Sequence, residues 1–154
     1  IETTFSSTYD SYMLVGTGIT AGTDYSSLFC RQKIGGTYLS TGYNYHFSIS
    51  SSTNGTYSGS GSGNDSAIKI LANSAGTGTG KCFNLTMRIY APSSTTLRKL
   101  VDFTGGTVDI DGLHRILFGG GGHTSTDALT GIRFLFSSGN IVAGTFRLYG
   151  IANS

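Results

Sequence analysis

Apolar and polar side chains alternate most strongly near the end of the chain, where residues 131–151 read GIRFLFSSGNIVAGTFRLYGI. Successive side chains of a strand point to opposite faces, so Ile132, Phe134 and Phe136 share one face and Arg133 and Leu135 the other. Ser137, Ser138, Gly139 and Asn140 follow, a cluster suited to reversing the chain. A second alternating arm sets Phe146 and Leu148 against Arg147, Tyr149 and Ile151. The stretch predicts a terminal β-hairpin with one strongly apolar and one mixed face. An isolated hairpin is marginal in water, so its apolar face requires a second sheet.

The two-residue period recurs upstream. Residues 9–15 (YDSYMLV) and 25–34 (YSSLFCRQKI) predict two strands, and Gly35-Gly36 predicts a tight reversal into Thr37 and Tyr38. In residues 43–50, Tyr43, Tyr45, Phe47 and Ile49 alternate with Asn44, His46 and Ser48. In residues 82–90, Phe83, Leu85, Met87 and Ile89 form a core face against Asn84, Thr86 and Arg88, until Pro92 stops the strand. Shorter strands are predicted at 67–71, 96–103, 107–110 and 114–118, the last two joined at Asp111-Gly112. Residues 51–66 (SSTNGTYSGSGSGNDS) carry no apolar period and predict a flexible loop, as do 76–80 and 119–130. The sum is an all-β chain of eight to ten strands with little or no helix. A jelly-roll-like antiparallel β-sandwich, one domain over residues 1–154, is the expected architecture.

Composition narrows the setting. The 154 residues include 24 Gly, 21 Ser and 21 Thr, with nine Tyr, nine Phe and no Trp. Charged residues are only 12 % of the chain, about half the usual ~25 %. Low charge with aromatic strands argues against disorder. The net charge of +2 comes from dispersed Lys and Arg, without the basic stripe that nucleic-acid binding needs. Neither an apolar run long enough to cross a membrane nor a signal-peptide pattern is present. The start at Ile1 rather than Met is read as processing or as the C-terminal part of a longer polypeptide. Cys30 and Cys82 lack metal spacing, and two free thiols in a protein assembled in a reducing cytosol is the favoured reading.

Candidate chemistry is sparse. Gly119 to His123 (GGGGH) lacks the following helix and Lys-Ser or Lys-Thr of a phosphate loop, and reads as a mobile loop or a place of close backbone approach. Asp109 and Asp111 could offer two carboxylates to a cation, but the closing glutamate of a calcium loop is missing. His46, His114 and His123 have no pairwise ligand spacing. A G-x-S-x-G nucleophile elbow is absent, and nothing selects a catalytic pair from seven aspartates and Glu2. The expectation is a non-enzymatic protein without metal or cofactor. Tyr38, Tyr43, Tyr45 and Tyr57 border the polar 51–66 stretch; half-buried strand or subunit-interface residues is the favoured reading, stacking platforms for sugars the alternative.

Three segments, YDSYMLVGTGI, MRIYAPSSTT and GIRFLFSSGNIVAGTFRLYGI, together resemble a group of tailed-bacteriophage virion proteins. The likeness runs from about Tyr9 to Ile151. It is most specific at Gly131, Arg133, Phe134, Ser137-Ser138-Gly139-Asn140, Gly144 and Leu148-Tyr149-Gly150. It implies a β-sandwich exposed on the virion as a capsid decoration (cement) protein or a head- or tail-fibre module. Such modules are commonly homotrimers in contact with other virion proteins, and the family offers no catalytic residues. On the mixed faces, Arg133, Leu135, Arg147 and Tyr149 are the expected subunit contacts, since Arg and Tyr are enriched at interfaces. The alternative is a lectin-like module that recognises host surface glycans through Tyr57, Asn64 and Asp65.

Overall fold

The computed structural model describes residues 2–51, 55 and 57–152. Among these residues the chain forms twelve strands and no helix. They are β1 (Glu2–Thr4), β2 (Ser11–Ala21), β3 (Ser26–Ile34), β4 (Thr37–Tyr38), β5 (Tyr43–Ser51) and β6 (Tyr57–Asp65), followed by β7 (Ile68–Ala75), β8 (Phe83–Tyr90), β9 (Lys99–Val108), β10 (His114–His123), β11 (Leu129–Phe136) and β12 (Ile141–Ile151). All pairings are antiparallel. One sheet has seven strands in the order β12-β2-β8-β9-β10-β5-β6. The other has five, with order β1-β11-β3-β4 and β7 also pairing with β3.

The expected antiparallel β-sandwich is thus the architecture. Its jelly-roll variant is not established by the strand order, in which β8, β9 and β10 form a meander within one sheet. Gly35 and Gly36 both have positive φ (59° and 83°), as a primed turn between β3 and β4 demands.

Four expectations are corrected. Residues 131–151 are not a hairpin, because β11 pairs with β1 and β3 while β12 pairs with β2 in the opposite sheet. The two arms face each other across the core, where the Phe134 and Phe146 rings stack at 5.1 Å. Their connection crosses between sheets, held by Ser137 N–H donating to Ser27 O and Gly22 N–H donating to Asn140 O, each at 2.8 Å. The expected loop at 51–66 contains β6, an edge strand paired with β5, while its residues 52–54 and 56 lie outside the described residues. The predicted strands at 96–103 and 107–110 are one strand, β9, and Gly119–His123 continue β10 rather than forming a loop.

The glycine run is a place of close backbone approach. Gly119 and Gly121 lie opposite Phe47 and Tyr45 on β5. A Cβ on Gly119 would stand 2.5 Å from the His46 carbonyl and from the Phe47 Cβ. The core is packed from both sheets by Leu28, Cys30, Ile68, Ile70 and Ile132 on one side and Phe47, Phe83, Met87, Ile89 and Leu117 on the other. Both cysteines are free thiols, Cys30 buried and Cys82 half-buried. Burial pushes the Cys30 thiol pKa up.

Polar groups inside the sandwich hold its ends. The buried Tyr43 hydroxyl accepts from the Gln32 N–H at 2.7 Å, tying β5 to β3 in the opposite sheet, and burial pushes its pKa up to about 12. The amide of Gln32 itself is buried without a hydrogen-bond partner among the described residues. Asp109 is fully buried beyond the end of β9, accepting from the N–H groups of Asp111 (3.0 Å) and Leu113 (2.8 Å) and from Arg115 Nε.

Candidate interaction surface

Register fixes which side chains share the outer face of the seven-stranded sheet. Along β10, Leu117 points into the core, so Ile116 and Phe118 point out. Ile116 stands between Ser50 on β5 and Gly106 on β9, and Phe118 between Ser48 and Thr104. Leu100 on β9 lies beside Gly122 and Tyr90, and Tyr57 on β6 lies beside Ser50. These positions carry large apolar side chains amid Gly, Ser and Thr, and they are open. Ile116 is 65 % exposed, Leu100 55 %, Phe118 52 % and Tyr57 71 %. Single exposed apolar residues are ordinary, but Ile116 and Phe118 stand side by side on an inner strand and mark a contact surface, with Leu100 two same-face rows beyond Phe118 and Tyr57 on the edge strand β6.

The face has relief. Beside the Ile116 ridge runs a shallow groove of about 450 Å³ lined by Val15, Thr17, Thr86, Thr104, Gly106 and Ile116. Charges are few: Arg88 and Asp102 stand directly opposite each other across β8 and β9, with Arg147 at the margin. Strand spacing and rise give the seven strands and four residue rows a span of roughly 30 by 20 Å between Cα positions. Side-chain girth brings that close to the ~800 Å² per partner of a standard protein interface.

The residues expected to make subunit contacts do not share a surface. Arg147 and Tyr149 pair with Val15 and Met13 and lie on the outer face of the seven-stranded sheet, at its β12 edge. Arg133 and Leu135 are on the outer face of the other sheet, where Arg133 lies 4.1 Å above the Tyr38 ring. The residues expected to contact glycan are also apart. Tyr57 opens β6 whereas Asn64 and Asp65 close it, roughly 23–26 Å away at the rise of a strand. Asn64 Oδ1 accepts from the Gly42 N–H at 3.1 Å, and Asp65 accepts from the Ser66 N–H at 2.6 Å and the Tyr45 hydroxyl at 3.2 Å. The Ser66 amide is the main reason the Asp65 carboxyl sits below its ordinary pKa. Both side chains fasten the end of the β5–β6 pair.

The other ionisable groups have structural partners. Burial alone would push the Asp109 carboxyl up, but the Leu113 amide, Arg115 and the Asp111 amide together hold it below the ordinary value. A carboxylate so occupied has little left to offer a cation. Lys99 is buried with its ammonium donating to the Ser94 carbonyl, and burial pushes its pKa down. His114 and His123 stand at opposite ends of β10, roughly 30 Å apart at strand rise, so the three histidines do not converge. His123 Nε2 is 2.9 Å from the Thr41 carbonyl and its Nδ1 accepts from the Ser125 N–H. Among the described residues no group of three or more His, Cys, Asp or Glu side chains is placed to hold a metal.

No family model matches the chain, and neither a curated protein nor a solved structure does.

Ile116, Phe118 and Leu100 were not among the residues singled out by sequence. The signal was present: Ile116-Leu117-Phe118 is apolar on both faces of one strand. In a two-layer sandwich only one of those faces meets the core, which leaves the other for a partner.

Proposed function

We propose that the chain is a non-enzymatic structural protein of a tailed-phage virion, a β-sandwich exposed on the particle as a capsid decoration or fibre module. In this reading the outer face of the seven-stranded sheet packs against copies of the same chain in a homotrimer, and other surfaces meet other virion proteins. The exposed Ile116, Phe118 and Leu100 on that face carry the proposal. The occupant is a second copy because ridge and groove lie side by side on one surface, so a rotational assembly seats each ridge in a neighbour's groove. Arg88 beside Asp102 gives the same face both halves of an ion pair. The resemblance of residues 131–151 supplies the virion setting, and two free thiols suit assembly in a host cytoplasm. Light scattering over increasing concentration tests the reading: a mass of three chains or a multiple of three supports it, and a persistent monomer or dimer rejects it.

The lectin-like reading keeps one observation in its favour, the 71 % exposed Tyr57 ring. Reproducible binding on a glycan array that disappears in Tyr57→Ala would favour it over assembly.

A further inference from the structure

We infer that β12 pairs with β12 of a second copy, continuing the seven-stranded sheet across a twofold axis at Leu148. This contact is separate from the outer face described above. It rests only on the edge of the sheet, and it can hold or fail independently of the trimer.

β12 has a neighbour, β2, on one side, and among the described residues no strand pairs with its other side. Natural sheets blunt such edges with short strands, lysine, proline or bulges. The edges of the five-stranded sheet follow that rule, β1 and β4 being two or three residues long and β7 carrying Lys69 and irregular pairing, whereas β6, the other edge of the seven-stranded sheet, is mostly Gly and Ser with few side chains to pack against a partner. β12 is eleven residues long with Arg147 as its one charge. Its register shifts are confined to residues 141–145, which leaves 145–151 (TFRLYGI) as a regular ladder edge. Unpaired backbone N–H and C=O groups along such an edge are a template for another strand.

The sequence of that edge identifies the other strand. A twofold axis normal to the sheet makes paired strands antiparallel and keeps both core faces on the same side. The axis must then pass through a residue, since a shift of one residue would turn a core face outward. Centred on Leu148, it uses all seven regular residues. Arg147 then stands opposite Tyr149 of the second copy, Phe146 opposite Gly150, and Leu148 opposite Leu148. Arg147 and Tyr149 are both exposed on the outer face, and Arg147 has no ion pair or hydrogen bond among the described residues. The symmetry gives it two cation–π pairs, one on each side of the axis. On the core face Phe146 stands opposite Gly150, over which the Tyr9 ring of the same chain is packed.

Cysteine cross-linking tests the register. In a Cys82→Ser background, Arg147→Cys and Tyr149→Cys are made separately, both at exposed positions, and circular dichroism checks their fold. Directly opposed Cβ atoms lie ~4.5–5.5 Å apart, near disulfide range, whereas 147 against 147 is displaced by two residues. Oxidation of an equimolar mixture should give several-fold more covalent dimer than either variant alone. No dimer in the mixture, or equal dimer in all three samples, overturns the inference. Repeating the mixture with Phe118→Ser separates the two contacts. Retained cross-linking with loss of the trimer places both as argued, whereas cross-linking lost with Phe118→Ser would show that no separate edge contact exists.

Discussion

Replacing Gly119 by alanine should destabilise the protein strongly, although it adds one methyl group. The ideal Cβ at Gly119 meets the His46 carbonyl and Phe47 Cβ at 2.5 Å and the Phe47 Cα at 2.7 Å. These are largely backbone atoms of the paired strand β5, so no side chain can swing aside, and either β5 or β10 must move. Overpacking of this kind costs about 1–3 kcal/mol, and the rigidity of the contacting atoms places Gly119→Ala at the upper end, ~2–3 kcal/mol. For a domain of this length each kcal/mol lowers Tm by roughly 2–4 °C, so a loss of about 4–12 °C is expected. Gly59→Ala is the matched control. Its Cβ would meet the His46 Nε2 at 3.4 Å, the Phe47 carbonyl at 3.5 Å and the His46 Cε1 at 3.8 Å, all ordinary contacts. Alanine there removes backbone freedom from the unfolded chain and should stabilise by up to about 0.5–1 kcal/mol. Chemical denaturation at one fixed protein concentration keeps any self-association equal between variants. Equal stability changes at the two sites, or a Gly119→Ala change within ~0.5 kcal/mol of zero, would refute the close-approach argument.

Other expectations concern the buried polar groups. Gln32→Leu removes a buried amide without a partner and should raise stability by about 1–2 kcal/mol, read as a higher denaturation midpoint with an unchanged slope. Asp109→Asn leaves Arg115 without its carboxylate and should cost about 2–4 kcal/mol near neutral pH. Because folding lowers the Asp109 pKa, its contribution is complete above the unfolded value of ~3.9 and is lost as pH falls through the folded one. The gap between wild type and Asp109→Asn should therefore stay constant from neutral pH to about 5 and narrow below about 4 in pH-dependent unfolding. A gap that widens on acidification would contradict the sign.

The strands were legible wherever a side-chain period exists to be read. Phe83, Leu85, Met87 and Ile89 alternate cleanly because one face meets the core and the other meets water. The same alternation says which side of a strand is apolar, and nothing about which strand lies beside it. That is why residues 131–151 read as a hairpin: Phe134 and Phe146 do share a core, but they reach it from opposite sheets. Strands built from glycine were hidden for a simpler reason. Gly119 to Gly122 and the Gly-Ser repeat of β6 carry almost no side chain to show a period, and their role appears only from what their neighbours occupy. The interaction surface was legible in part. Arg147 and Tyr149 lie on the outer face and at its edge, whereas Ile116 and Phe118 look like ordinary core residues until the layer count shows nothing covering them.

Sedimentation velocity on wild type and on an Ile116→Lys, Phe118→Lys double variant tests the assembly claim most directly. Both positions are more than half exposed, so lysine there leaves the sandwich folded while charging the centre of the face. A wild-type mass of three chains, or of a multiple of three where the β12 edges also pair, is predicted, with the double variant falling to a monomer or a β12-paired dimer and keeping its circular dichroism spectrum. A double variant that keeps the wild-type mass would show that the outer face of the seven-stranded sheet is not where the copies meet.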